Sequence, residues 1–250
     1  MKIFLMADNW LGWQIVKHLN KYNEKIVGLA IHPRGYQHHV DDIIAETKIP
    51  RSQVLVGNKN LDVTFVEKVK SLEPDIILVI YWNYILPKRV FSIPKLGCIN
   101  FHMAYLPYNR GKNPNVWPII EGTPAGVTMH YIDTGIDSGK IIAQKTVNVD
   151  IIDTAKTVFT KQLNAFVELF KETWPRIKSN SITPIQQDLS EGTIHYSKDF
   201  NGISEINLEE KVYPLDLINQ LRAKTFEPNP PAYFIYKGEK VNISINLKYD

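Results

Sequence analysis

The sequence predicts an α/β protein: a Rossmann-like, mostly parallel sheet with flanking helices, followed by a small β-rich C-terminal subdomain. Three observations predict it. Short apolar runs alternate with amphipathic stretches through about the first 120 residues, the pattern of strands joined by helical crossovers. Asp75 to Val79 (Asp-Ile-Ile-Leu-Val) is a continuous apolar run after a proline, as a parallel strand buried on both faces requires. Beyond residue 122 the alternation stops, and β-rich stretches follow one another directly. A main domain over residues 1–180 and a subdomain over 181–250 are the expected organisation.

In order along the chain, Lys2 to Ala7 reads as a buried strand. Leu11, Ile15, Val16 and Leu19 then recur at helical spacing. Lys25 to Ile31 is a second strand, Asp41 to Thr47 a short helix, Gln53 to Val56 a further strand. Leu61 to Leu72 is helical, with Val63, Val66 and Val69 on one face. Gly97 to Phe101 follows as a strand, then Ala125 to Tyr131 and Lys140 to Val147 as antiparallel partners around a Gly/Asp loop. Thr154 to Lys178 is the longest helical stretch, with Asp153 or Thr154 as its cap. From about Ser181 the chain reads as strand and turn, with one helix at Pro214 to Lys224. Pro228-Asn229-Pro230-Pro231 is a turn or linker, and Tyr233 to Tyr236 with Lys240 to Leu247 form a terminal hairpin.

Composition narrows the function class. The chain has 250 residues, 44% hydrophobic and 22% charged, with a net charge of +3. That excess is too small and too evenly spread to argue for nucleic acid, though it suits an anionic small molecule. Cys98 is the single cysteine, so no internal disulfide is possible. The apolar run at Met1 to Ala7 ends at Asp8, too short for a signal peptide, and no stretch approaches a membrane span. A soluble, cytoplasmic protein without a membrane partner is expected. The turn after the first strand, Ala7-Asp8-Asn9-Trp10-Leu11-Gly12, holds one glycine where a dinucleotide fingerprint needs three. This disfavours a nicotinamide dehydrogenase. No spacing of the seven histidines with carboxylates or thiols suggests a metal.

The chemistry is concentrated in two short segments. In Asn100-Phe101-His102 the amide and the imidazole sit two apart on a strand and share a face. In Asp133-Thr134-Gly135-Ile136-Asp137-Ser138-Gly139, glycines allow a tight turn that can bring a carboxylate close to another group. A lone histidine at a strand end is more often simply hydrogen-bonded, and an Asp-Gly loop is more often simply a hairpin. Acyl transfer, however, needs an oxyanion donor, a group that handles an amine's proton, and an orienting carboxylate. Asn100, His102 and Asp137 are of the types that supply these.

Those segments, together with Leu106-Pro107, Arg110-Gly111, Trp117, the approach Tyr81-Trp82-Asn83-Tyr84-Ile85-Leu86-Pro87, Ile93-Pro94 and Gly97-Cys98-Ile99, resemble the signature of the N10-formyltetrahydrofolate-dependent formyltransferases. The resemblance is strong over about residues 75 to 145 and one of pattern elsewhere. One departure is Met103-Ala104-Tyr105, where the family commonly has Pro-Ser-Leu or Gly-Ser-Leu. The resemblance implies N10-formyltetrahydrofolate as formyl donor. It implies Asn100, His102 and Asp137 as catalytic residues, and a folate pocket at Trp82, Tyr84, Ile85, Leu86, His130, Asp133 and Gly135. His130 belongs there to the pocket and lies outside the catalytic pattern. Whether His102 or Asp137 is the formal base stays open.

The tail of about seventy residues resembles that of nucleotide-sugar N-formyltransferases, whose amine belongs to a 4-amino-4,6-dideoxyhexose. The expected acceptor is a nucleotide-linked amino sugar, with dTDP-4-amino-4,6-dideoxyglucose as best guess, in a homodimeric enzyme of surface (O-antigen) polysaccharide synthesis. Candidate contacts are Asn9, Trp10, Tyr105, Arg110, Lys112, Arg222, Lys224, Phe226 and Tyr233. An aromatic platform suits a base, and a cation suits a pyrophosphate. The alternatives are a methionyl-tRNA formyltransferase with a reduced C-terminal region and a non-catalytic folate or nucleotide-binding module.

Overall fold

The computed structural model describes residues 1–250. Its elements run β1 (Lys2–Ala7), α1 (Asn9–Lys21), β2 (Lys25–Ile31), α2 (Val40–Thr47), β3 (Val54–Val56), α3 (Val63–Ser71), β4 (Ile76–Ile80), α4 (Lys88–Phe91) and β5 (Cys98–His102). They continue with β6 (Arg110–Gly111), α5 (Trp117–Glu121), β7 (Gly126–Tyr131), β8 (Ile141–Thr146), α6 (Ala155–Lys178), β9 (Ile194–His195), α7 (Ser197–Gly202), α8 (Pro214–Lys224), β10 (Ala232–Tyr236) and β11 (Glu239–Ile243). The main sheet has seven strands in the order β3-β2-β1-β4-β5-β7-β8. Its first five strands are parallel, and β7 joins β5 antiparallel. The α/β class, the parallel half and the antiparallel return are as the sequence predicts. Four short elements were not foreseen: α4, α5, α7 and the two-residue ladder of β6 with β9. Each is too short to carry a period.

Contacts divide the chain into two compact units built from interleaved segments. The first comprises Met1–His102, Thr128–Ala143 and Phe166–Gln187. Here β4 is buried at every residue, which is why its sequence is apolar without alternation. One core cluster sets Phe4, Met6, Ile77 and Val79 of the sheet against Phe65, Val66 and Val69 of α3. The later part of α6 carries Phe166, Phe170 and Trp174, all fully buried, at i, i+4 and i+8. Phe101 meets the first two with ring centroids 5.5 and 6.0 Å away. Full burial of each such side chain contributes about 1.5–3 kcal/mol. The second unit comprises Met103–Val127, Gln144–Ala165 and Asp188–Asp250. Its core joins Val116, Trp117 and Ile119 around α5 to Ala155, Val158 and Ala223. At the start of α6, Thr154 Oγ1 accepts from Thr157 N at 3.4 Å, and Asp153 accepts from Thr157 Oγ1 at 2.9 Å. No helix is long and apolar enough to cross a membrane.

Candidate active site

Within the first unit, β5 delivers Asn100 and His102 to the same face at its carboxyl end. Across the antiparallel ladder Asn100 stands opposite His130, and His102 opposite Thr128. Such pairs bring side chains into direct contact. Asn100 Nδ2 lies 3.1 Å from His130 Nε2 and donates to Asp137 Oδ1 at 3.2 Å. His102 Nδ1 is 3.5 Å from Asp137 Oδ2, and His130 Nε2 is 3.5 Å from Asp137 Oδ1. The three residues expected to act together therefore converge on one carboxylate. They do so with a fourth member, His130, which the sequence assigned only to the folate pocket. It lies inside the cluster because the β5–β7 register places it directly opposite Asn100.

The loop 132–140 holds Asp137 in place by close approaches. Asp137 itself has a left-handed backbone, φ 48°. A Cβ at Gly135 would stand 2.0 Å from Ser138 Oγ, and one at Gly139 1.9 Å from the Tyr131 carbonyl oxygen. Gly139 admits no side chain without displacing the loop, and at Gly135 the Ser138 hydroxyl would have to swing away. Asp133 braces the turn by accepting from Gly135 N at 3.0 Å and Ser138 Oγ at 2.7 Å. Buried Gln187 donates to the carbonyls of Asp137 at 2.9 Å and Gly139 at 2.6 Å. Sequence reasoning missed Gln187, because nothing in a glutamine fifty residues downstream signals it.

At the carboxyl ends of β2 and β4, Trp82 stacks on buried His32 at 4.1 Å, and Tyr84 meets both rings edge-on. Trp82 Nε1 is buried without a hydrogen-bond partner. Burial holds the His32 imidazole below its ordinary pKa, so the ring is neutral. Ile85 is 77% exposed, beside Leu86, which is buried in the sheet core. At the turn after β1, Asn9 is left-handed (φ 66°) and its Oδ1 accepts from Trp10 N at 2.5 Å. Asp8 is wholly buried and accepts from His38 N at 2.8 Å. A buried carboxylate at this turn would repel a pyrophosphate there. Strands β1 and β4 flank the reversal of strand order, where open α/β sheets bind ligands.

In the second unit Arg110 and Gly111 form the short ladder with Ile194 and His195. Gly111 has φ 91°, and a Cβ there would lie 2.3 Å from the His195 carbonyl oxygen, which accounts for glycine after Arg110. His195 stacks on Trp117 at 3.8 Å, and the Lys112 carbonyl accepts from Trp117 Nε1 at 2.8 Å. Tyr105 packs against Gly126, where a Cβ would meet its ring at 2.9 Å. Tyr105 and Arg110 are half-buried, and Lys112 is exposed. Arg222 and Lys224, expected as substrate contacts, are both tied to groups of their own unit. Arg222 is buried, and its Nη1 donates to the carbonyls of Asp150, Ile151 and Asp153 at 2.6, 3.2 and 3.2 Å. Lys224 is 2% exposed with Nζ 3.4 Å above the Phe200 ring. Burial, with Lys240 nearby, lowers its pKa to about 8. Phe226 packs on Phe159 at 5.2 Å, in the core of the tail. Tyr233 donates to Glu205 Oε2 at 3.0 Å beneath Lys240.

The formyl transferase family model matches residues 20–173, and that of the N-formyltransferase dimerization C-terminal domain matches residues 199–249. The methionyl-tRNA formyltransferase of Clostridioides difficile is 37% identical over 182 residues, 69% of this chain and 58% of the relative. The chain thus spans less than two thirds of that enzyme. A 4-N formyltransferase from Francisella tularensis superposes with a TM-score of 0.80 at 28% identity, covering 100% of this chain and 98% of that one. A formyltransferase from Anoxybacillus kamchatkensis, solved with UDP-4,6-dideoxy-4-formamido-L-AltNAc and tetrahydrofolate, matches at 26% identity and a TM-score of 0.61, covering 90% of this chain and 100% of that one. With its amide, imidazole and carboxylate gathered at one strand end and more than half its length matched, the chain belongs to the formyl transferase family.

Proposed function

We propose that the protein transfers a formyl group from N10-formyltetrahydrofolate to the 4-amino group of a nucleotide-linked 4-amino-4,6-dideoxy sugar, and that it works as a homodimer joined through residues 199–249. The observation that carries the choice of acceptor is the tail: residues 199–249 match the N-formyltransferase dimerization C-terminal domain, and the Francisella 4-N formyltransferase superposes on the chain with a TM-score of 0.80. The described residues suit a folate. Half-buried Trp82 and exposed Ile85 offer an apolar wall at the sheet's carboxyl edge. A folate bound there would supply the formyl carbon to the amine and depart as tetrahydrofolate when the bond from that carbon to N10 breaks, N10 taking up the proton that the amine loses.

The chain's own residues have separate tasks. Asn100 donates an amide N–H to the formyl oxygen as negative charge develops on it. His102, facing Asp137 at 3.5 Å, adds a second donor when protonated. Asp137 orients His102 and receives the amine's proton, directly or through water. Asp133, Gly135 and Gly139 shape the loop that presents Asp137. Asn9 and Trp10, at the reversal of strand order, are the sugar contacts this reading retains, with Tyr105, Arg110, Lys112 and Tyr233 as nucleotide contacts.

The test is incubation with N10-formyltetrahydrofolate and a panel of dTDP-, UDP- and GDP-linked 4-amino sugars, with methionyl-tRNA alongside, read by mass spectrometry. Formyl addition to an amino sugar, dTDP-4-amino-4,6-dideoxyglucose first, is expected. The second reading, a methionyl-tRNA formyltransferase, is favoured by the 37% identity of its relative. It prevails if only the tRNA is formylated. Folate binding with no transfer to any amine would make the chain a binding module.

A further inference from the structure

Asn100 and His130 meet as a cross-strand pair, and the polarity of their contact is fixed from outside. His130 Nδ1 lies 2.9 Å from the Tyr131 carbonyl oxygen. A carbonyl only accepts, so Nδ1 carries a proton, which in the neutral form is the ring's only one. Nε2 is then a bare acceptor, 3.1 Å from Asn100 Nδ2. The other neighbour of Nδ2, Asp137 Oδ1 at 3.2 Å, is also an acceptor. With acceptors on both sides, the NH2 end of the Asn100 amide must face them and its oxygen must face away. The two acceptors stand 3.5 Å from each other, close enough to share one amide hydrogen. The second hydrogen of the same planar NH2 is left for another acceptor. With Asp137 alone, the amide would hang from a single bond and could swing its oxygen into the site. There it would repel the negative charge it is meant to stabilise. His130 is 2% exposed, so water does not compete for its lone pair.

We infer that His130 is a positioning residue for formyl transfer: through its Nε2 lone pair it locks the Asn100 amide nitrogen-inward beside Asp137, so that the second N–H is aimed at the formyl oxygen. The inference rests on the reading of Asn100 as oxyanion donor. Loss of the lock costs less than loss of the donor itself, because the amide still samples the productive orientation.

The tautomer can be read first, in the unliganded full-length protein, independently of the acceptor amine. Long-range 1H–15N spectra of the imidazoles, with His130→Gln for assignment, should show a protonated Nδ1 and a bare Nε2 for His130. An Nε2–H tautomer overturns the inference. Kinetics with N10-formyltetrahydrofolate and dTDP-4-amino-4,6-dideoxyglucose supply the second arm. His130→Leu should lower kcat about ten- to a hundredfold with KM for the folate within about threefold, the pattern of a transition-state effect. His130→Gln, whose carbonyl oxygen can accept from Asn100, should recover most of that loss. In the double variant with Asn100→Ala, His130→Leu should cost less than about twofold more, because its effect passes through the amide. An undiminished loss on the Asn100→Ala background, or a glutamine variant as slow as leucine, overturns the inference. If Asn100→Ala alone turns over normally, the reading of Asn100 fails and the inference with it, while the tautomer is still measured on its own. Should the leucine variant not fold, the glutamine variant and the tautomer decide.

Discussion

Polar residues are used oppositely at the end of β5 and in the tail. At the end of β5, Asn100, His102 and His130 each come within 3.2–3.5 Å of the Asp137 carboxylate, and the carboxylate keeps some exposure, 16% of its side chain. In the tail, Arg222 and Lys224 are more deeply buried, and each is engaged by its own unit, by three carbonyls in one case and a phenyl ring in the other. The same residue types that would suit a pyrophosphate serve there as internal ties. A cation in a sequence is a candidate ligand only until its burial and its acceptors are known.

The largest effect that would break this comparison is at Asp137. Asp137→Asn should lower kcat by about a hundredfold or more, with folate affinity changed far less, since the carboxylate acts mainly in the transition state. Calorimetric binding beside steady-state turnover checks the split. Gly139→Ala should come next, at roughly tenfold or more in kcat, because even a methyl group meets the Tyr131 carbonyl and must displace the loop that carries Asp137. Retained activity would show that the loop yields cheaply. Arg222→Met should show the converse, a loss of about 2–4 kcal/mol in chemical denaturation with turnover per folded molecule unchanged. A raised KM for the sugar nucleotide instead would return Arg222 to the list of ligands.

The smallest effect is a pH signature of Lys224. Its folded pKa, about 8, lies below the ordinary lysine value of 10.5. Between those values the unfolded chain holds more protons than the folded one, so stability rises with pH there. The charged amine destabilises the fold below about pH 8, and the penalty is relieved as pH climbs toward 10.5. Lys224→Met should abolish that alkaline gain, read as the difference between the two proteins' denaturation midpoints at pH 7.5 and 9.5.

What the sequence revealed and what it withheld follow the range of the interactions. Strand β4 was legible because five buried residues in a row leave one reading, and α8 was read at Pro214–Lys224 because a proline opens it. The placement of Asn100 and His102 on one face followed from the two-residue period of a strand. The approach of Asp137 needed only permissive glycines. The pairing of His130 with Asn100 was not legible, because the β5–β7 register is set across thirty residues of chain, and no local pattern states a register. Gln187 and the roles of Arg222 and Lys224 were hidden for the same reason. Their partners lie 48 to 72 residues away for Gln187 and Arg222, and burial of a lysine depends on what folds over it. The ladder of β6 with β9 joins Gly111 to His195 through two residues on each side, too few to leave a periodic trace.

The two hydrogen bonds from Gln187 to the backbone of Asp137 and Gly139 bear on the order in which this protein is made. The side chains that meet at the end of β5 have all been synthesised once the ribosome has passed residue 137. The loop that presents the carboxylate has its internal brace from Asp133 by residue 138, but the ties from Gln187 come only when the chain has grown fifty residues further and turned back. The last ties on this loop are therefore long-range ones, available only after α6 and the residues that follow it have been made.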